Sequence, residues 1–287
     1  MRILVIGGTG TVGRELVARL RKRNVQTRVL TRSPEQHREE GVEFVKGDLE
    51  RAETLAPAFA GADRVYLVTP LHPKEAELGL AAIRAAVEAG VERIVIQTVH
   101  QAEAAPHVPH FASKVEMLQA VEETGVPWVD LAPNSFFQND LRYRVALVDH
   151  GVYPQPIGSL GANRVDVRDI AEVATALLLN DGHEGRTITV AGPEPLTGES
   201  TAEIWGDRLG RPVRYGGDDL EAWSSRVQGL MPDWLIDDLV KMYRHFQEHG
   251  LLAGEAELDQ VRDILGREPR SFDDFATETA ARWKSEG

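Results

Sequence analysis

Cysteine is absent from the chain, so a disulfide, a zinc–thiolate centre and a cysteine nucleophile are all excluded. Long apolar runs are missing too. No stretch approaches the roughly 20 residues that span a bilayer. The first residues enter a strand-like pattern directly, without the charged segment, apolar core and cleavage site of a secretory signal. Together these absences predict a cytoplasmic protein with no membrane partner. Basic charge is in short supply: 32 Lys and Arg stand against 45 Asp and Glu, a formal net charge of −13. The overall field therefore repels nucleic acid, and no nucleic-acid partner is expected. Internal repeats, low-complexity tracts and long linkers are also lacking.

What is present is a regular alternation. Short apolar runs, "RILVIGG", "QTRVLTRS", "VEFVKGD", "RVYLVTP", "RIVIQTV" and "PWVDLAP", read as buried strands. Amphipathic stretches lie between several of them. Gly13 to Arg23 places Leu16, Val17 and Leu20 on one helical face, "KEAELGLAAIRAAVEAG" is a helix stopped by Gly90, and "FASKVEMLQAVEETG" is one stopped by Gly125. Strands and helices alternating at these lengths predict a doubly wound α/β fold on a parallel sheet. Beyond Pro133, "NSFFQNDLRYRVALVDHG" predicts a long helix. "RVDVRDIAEVATALLLN" predicts a short strand and a helix, and "RTITVAG" a further strand. From about Pro193 the pattern is mostly helical. The expected division is a dinucleotide-binding domain of residues 1–150 with 164–191, and a smaller, mostly helical lobe of 192–287 with 151–163. That lobe is expected across the carboxyl ends of the strands, where ligands of open α/β sheets bind.

The first motif with chemistry is the turn after the first strand. Gly7, Gly10 and Gly13 recur every third residue, with Thr9, Thr11 and Val12 between them, at a strand–helix junction. One glycine serves the tight turn, one lets backbone approach a pyrophosphate, and one lets the helix sit close to the sheet. A dinucleotide is the expected ligand, with a merely structural turn as the bland alternative. No Gly-Lys-Ser/Thr follows, so a P-loop is excluded. A site built for NAD places an acid at the end of the second strand, to bond the ribose 2′-hydroxyl. Here Thr31 and Arg32 occupy that place. A guanidinium pairs with a 2′-phosphate and a carboxylate repels it, so NADP is the expected cofactor unless Arg32 is only a solvated charge. Asp48 after the third strand meets the adenine edge or caps a helix.

"GGTGTVG", "VKGDLE", "ETGVPWVDLAPNSFFQN" and "VDVRDIAEVA", in this order, resemble the NmrA-like atypical short-chain dehydrogenases/reductases. The likeness spans most of the chain. The tail "ELDQVRDILGREPRSFDDFATETAARW" is similar to that of the triphenylmethane-reductase-like and quinone-reductase-like members. The resemblance implies a Rossmann domain that holds NADP and a smaller lobe that covers substrate. The family contains reductases and also regulators that bind the cofactor without turning it over. By the same analogy Val68, Thr69 and Pro70 pass near the cofactor's ribose and pyrophosphate, and Pro133, Asn134 and Phe136 lie beside it.

Typical short-chain dehydrogenases use a Tyr-x-x-x-Lys pair, and none of the five tyrosines here has a lysine four residues on. The expected place reads "HFASK", with His110 in the tyrosine's position and Lys114 retained. The lysine, 13 residues before Pro127, resembles that of isoflavone-reductase-like enzymes, where a lysine without the tyrosine is the proposed acid/base. Lys114 then holds the nicotinamide ribose or moves a proton, against the bland reading of a solvated helix face. Thr98 faces the reacting carbon or caps a strand end. His100 and His110 are candidate proton donors or surface histidines. Phe136 and Phe137 wall an apolar pocket or pack in the core, and Asn134 meets substrate or caps the next helix. Trp223, Met231, Trp234 and Tyr243 line the substrate side or belong to the core.

His245 and His249 share a helical face at metal-ligand spacing, but the His-Glu-x-x-His context is missing and two exposed histidines are expected, with no metal. The expected partner is a small conjugated or aromatic hydride acceptor, such as a quinone, enone or imine. A non-enzymatic redox sensor and an isomerase or cyclase on the same fold stand as alternatives. Self-association into a homodimer is compatible with the sequence.

Overall fold

The computed structural model describes residues 1–286. The chain runs through β1 (Arg2–Ile6), α1 (Thr11–Lys22), β2 (Gln26–Thr31), β3 (Val42–Lys46), α2 (Ala56–Phe59), β4 (Arg64–Leu67), α3 (Glu75–Glu88) and β5 (Arg93–Gln97). It continues with α4 (Pro109–Glu123), β6 (Trp128–Pro133), α5 (Arg144–Val148), β7 (Val152–Tyr153), α6 (Val167–Leu179) and β8 (Arg186–Val190). The last elements are α7 (Gly198–Leu209), β9 (Arg214–Tyr215), α8 (Leu220–Val227), α9 (Asp233–His249), α10 (Glu255–Leu265) and α11 (Phe272–Glu286). The chain forms two compact units. One comprises residues 1–106, 110–133 and 167–188, the other 107–109, 134–166 and 189–287. Residues 107–109 and the segment that starts at Asn134 belong to the second unit, whereas the sequence pattern assigned 1–150 to the first.

The sheet has seven strands in the order β3-β2-β1-β4-β5-β6-β8. The pairings from β3 through to β6 are parallel. Gly185 N–H bonds to Trp128 O and Asn134 N–H to Val190 O, so β8 advances alongside β6 in the same sense. Strand order reverses between β1 and β4, the switch point at which open α/β sheets bind ligands. Ile3 to Ile6 and Ile94 to Ile96 are at most 1% exposed, as unbroken apolar runs must be when helices cover both faces. On α1 the buried residues include Leu16, Val17 and Leu20, the predicted stripe. The open carbonyls at the end of α6 are closed by arginine. Arg93 reaches Leu177 O and Asn180 O, and Arg64 reaches Leu178 O at 2.7 Å.

The second unit is built around aromatics and one buried ion pair. Trp205 stacks on Trp283 at 5.2 Å and meets Phe272 and Phe275 edge-on. Beside them Arg164 and Asp140, both with fully buried side chains, pair at 2.6 Å. Asp140 also accepts from Trp205 Nε1 at 3.0 Å, and Arg164 lies over the Phe272 ring at 5.2 Å.

This network explains where the sequence-based expectation fails. Residues 134–151 do not form one long helix. Phe137–Tyr143 is a 3-10 segment and only Arg144–Val148 is α-helical. The backbone is held extended at the start, because Phe137 N–H bonds to Val165 O and Val165 N–H to Ser135 O. The Asp140 side chain is then drawn inward to Arg164. Tertiary bonds thus override local helix propensity. The strand expected before α6 reduces to an isolated bridge between Phe136 and Val165. A two-stranded sheet of β7 and β9 was not anticipated.

Removing one member of a buried ion pair strands the other charge. R164M is expected to lower the unfolding free energy by about 3–5 kcal/mol, with much of the loss recovered in R164M/D140L. Urea denaturation of the two variants beside the parent checks this.

Candidate functional site

The glycine turn is shaped by close backbone approach. Gly7 has φ +78°, and a Cβ on it would lie 2.4 Å from Val68 Cγ1, at the end of β4. A Cβ on Gly13 would lie 2.1 Å from Gly7 O, an impossible contact, so the first turn of α1 rests directly on the loop. Gly10 N–H closes the turn onto Gly7 O at 2.9 Å, and Arg14 Nε donates to Thr9 O at 2.8 Å. No side chain caps α1 at the amides around Thr11, Val12 and Gly13, and its first turn carries no acid. This cradle fits a pyrophosphate.

At the end of β2 Thr31 is half-buried and Arg32 is exposed, in no ion pair among the described residues. Arg28 on the same strand is committed elsewhere, to Glu43 at 2.9 Å and to the carbonyls of Ala58 and Ala60. Arg32 is therefore the guanidinium at this strand end that remains for a ligand. Asp48 uses Oδ1 to accept from Glu50 N–H at 3.1 Å, a turn-forming bond.

After β4, Thr69 is buried, while Val68 is half-buried and Pro70 exposed. Lys114 is 5% exposed, which overturns the solvated-face reading. Its Nζ donates to Thr69 Oγ1 at 2.8 Å and lies 2.8 Å from Glu75 Oε1. After β5, Thr98 is buried and donates its hydroxyl proton to Asp130 Oδ1 at 2.5 Å. Asp130 Oδ2 accepts from Thr187 at 3.1 Å. Burial pushes the Asp130 carboxyl up to about 6, against the two threonine hydrogen bonds, which lower it. The His100 side chain is buried, and the backbone N–H of His100 bonds to Pro133 O at 3.0 Å, tying the ends of β5 and β6 together. His110 is half-buried, edge-on to Phe111 at 4.7 Å.

The second unit holds the remaining candidates. Asn134 is buried, with Nδ2 donating to Leu251 O and Oδ1 accepting from Ser135 N–H, both at 2.8 Å. Phe136 is half-buried. Phe137 is 1% exposed and packs on Phe272 at 5.1 Å, a core position. Trp223 and Tyr243 are buried edge-to-face at 5.1 Å, whereas Met231 and Trp234 are half-buried. His245 is not exposed, as expected for it, but 4% exposed between His107 and His249, with ring centroids at 5.5 and 4.7 Å. Its burial, then the two neighbouring histidines, hold it below the usual imidazole range. Among the described residues no group of three or more His, Asp or Glu is arranged to hold a metal, and no helix is long and apolar enough to cross a membrane.

The site so far comprises a glycine turn at the switch point, a β2 end without an acid and a buried lysine on α4. The model of the NmrA-like family matches residues 1–276. The chain belongs to the NmrA-like family. It is 37% identical to an NAD(P)H azoreductase of Xenophilus azovorans, over 97% of this chain and 98% of that one. It is 33% identical to the (4-alkanoyl-5-oxo-2,5-dihydrofuran-3-yl)methyl phosphate reductase of Streptomyces griseus, over 99% and 100%. The solved structure of Citrobacter sp. triphenylmethane reductase complexed with NADP(H) superposes with a TM-score of 0.84 at 22% identity, covering 98% and 100%, which establishes the shared fold.

Two residues of this NmrA-like chain carry little sequence signal. Glu75 reads as an ordinary first-turn acid of α3, and Asp130 as a polar interruption in "WVDLAP". That interruption was the one available hint, since a carboxylate inside a buried strand needs partners.

Asp130 titrates higher in the folded chain than the ordinary 3.8, so folding binds a proton between about pH 4 and about pH 6. Stability from this group is present at the acid end and falls as pH rises through that window, by on the order of 3 kcal/mol. D130N removes the proton. Its unfolding free energy relative to the parent should therefore rise from about pH 4 to about pH 6 and stay level above, as paired denaturation curves across pH would record.

Proposed function

We propose that the chain is an NADP(H)-dependent reductase of a small conjugated acceptor of the azo, quinone, enone or imine type. The observation that carries this reading is the end-to-end relation, at 37% identity, to an NAD(P)H azoreductase. The site's own chemistry supports it. The open amides of α1 would hold the pyrophosphate, and Arg32 would take the 2′-phosphate. Lys114, held on Thr69, would bond a ribose hydroxyl on the nicotinamide side.

When bound, the reduced cofactor supplies the hydride. The chain's residues orient it, exclude water and leave the acceptor to take one proton per hydride, so that a double bond becomes a single bond with two new hydrogens. An N=N, C=N or quinone acceptor carries heteroatoms that take this proton readily from Lys114 or, once the product leaves the site, from water. That matters here, because His110 replaces the tyrosine and the Thr98 proton is given to Asp130. The same two observations favour, as a second reading, a protein that senses the cofactor without turning it over.

Turnover decides between them. With NADPH and a panel of azo dyes, quinones, enones and imines, reduced-cofactor absorbance should fall in an enzyme-dependent way. Tight NADPH binding with no acceptor reduced would instead establish the sensor. R32D should weaken NADPH about tenfold or more, by loss of a charge-assisted pair, and affect NADH far less. Equal losses in fluorescence titrations would remove the NADP preference.

A further inference from the structure

A carboxylate lies behind Lys114. Glu75 opens α3 and its side chain is 1% exposed. Three groups close a triangle: Lys114 Nζ to Thr69 Oγ1 at 2.8 Å, Thr69 Oγ1 to Glu75 Oε1 at 2.7 Å, and Lys114 Nζ to Glu75 Oε1 at 2.8 Å. The Thr69 hydroxyl gives its proton to Glu75, so its lone pair faces Lys114. An ammonium has three donors, and two are spent inside the triangle. The third is left over. Glu75 Oε2 is buried with no hydrogen-bond partner. The carboxylate therefore serves Lys114 and Thr69 alone.

Stability does not account for it. A buried ion pair barely repays its desolvation, and a half-satisfied polar cluster is worse than an apolar one. The fold nevertheless goes to some length to form it. Gly79, one turn after Glu75, lets α3 approach α4, since a Cβ there would lie 2.4 Å from Met117 Sδ. Met117 follows Lys114 by one turn, and its sulfur is 3.9 Å from Thr69 Oγ1.

We propose that Glu75 is a positioning and charge-compensating residue for Lys114. It fixes the ammonium on Thr69 at the end of β4 and cancels its charge, so that Lys114 acts on the ligand as a directed donor and not as a net cation. The inference rests on the reading that the chain binds NADP(H) with its nicotinamide near Lys114. Its consequence is electrostatic. The oxidised nicotinamide ring is cationic and the reduced ring is neutral. A compensated lysine tolerates both, whereas a bare ammonium repels only the oxidised form.

The test measures dissociation constants for NADP+ and NADPH at neutral pH in the parent, E75Q, E75D and E75Q/K114M. Melting curves show that each variant folds. E75Q should raise the ratio of the NADP+ to the NADPH constant about tenfold, as expected for one uncompensated charge a few ångströms from the ring. The double variant should return the ratio to the parent's value. E75D keeps the charge and moves it, so it should restore the ratio but not the turnover rate, because Lys114 is no longer held on Thr69. If E75Q fails to fold, the ratio in E75Q/K114M set against that in K114M alone carries the test. K114M leaves Glu75 uncompensated and should lower the ratio below that of the double variant, whereas equal ratios overturn the assignment. A folded E75Q with an unchanged ratio overturns the assignment while leaving the reductase reading intact. A parent protein that binds neither form overturns both.

Discussion

Between Gly7 and Gly13 there is no room for a side chain: the carbonyl of the first occupies the space that a Cβ on the second would need. This contact brings the start of α1 down onto the loop after β1. The same loop meets Val68, so the end of β4 is drawn to the same point. The uncapped amides of α1 and the segment Val68–Pro70 are thereby brought to the reversal in strand order, where the sheet opens. The placement of Thr69, and through it of Lys114, follows from that geometry.

Around this point the chain uses buried carboxylates as holding groups. Glu75 takes Thr69 and Lys114, and Asp130 takes Thr98 and Thr187. In the second unit Asp140 takes Arg164 and Trp205. Each costs desolvation, and each fixes side chains that come from separate segments. Asp130 and Glu75 act on opposite kinds of partner. The first accepts only hydroxyl protons, and burial leaves its own proton easily retained. The second faces an ammonium. The difference in partner decides whether the carboxylate is an anchor without a cation or a counter-charge.

The contrast among the histidines has the same origin. His245 and His249 look alike in sequence, four apart on one helix. The structure buries the first against His107, from a distant segment, while the second remains exposed. Likewise Phe136 and Phe137 are neighbours, yet Phe137 joins Phe272 and Phe275 in the aromatic core and Phe136 stays half-buried.

By itself the sequence determined the strand–helix alternation, the glycine turn, the acid-free end of the second strand and the loss of the tyrosine at His110. These are local properties, set by the spacing of apolar residues and by which residue types a turn accepts within a few positions. Only the tertiary structure decided that Lys114 is buried on Thr69 and Glu75, that Thr98 is bound to a carboxylate, and that residues 134–151 break into a 3-10 segment and a short helix. Each depends on a partner tens of residues away. Nothing in the spacing of one segment states which distant donor or acceptor will meet it, and burial makes that meeting decisive, because an unpaired polar group inside the fold costs more than any local propensity supplies.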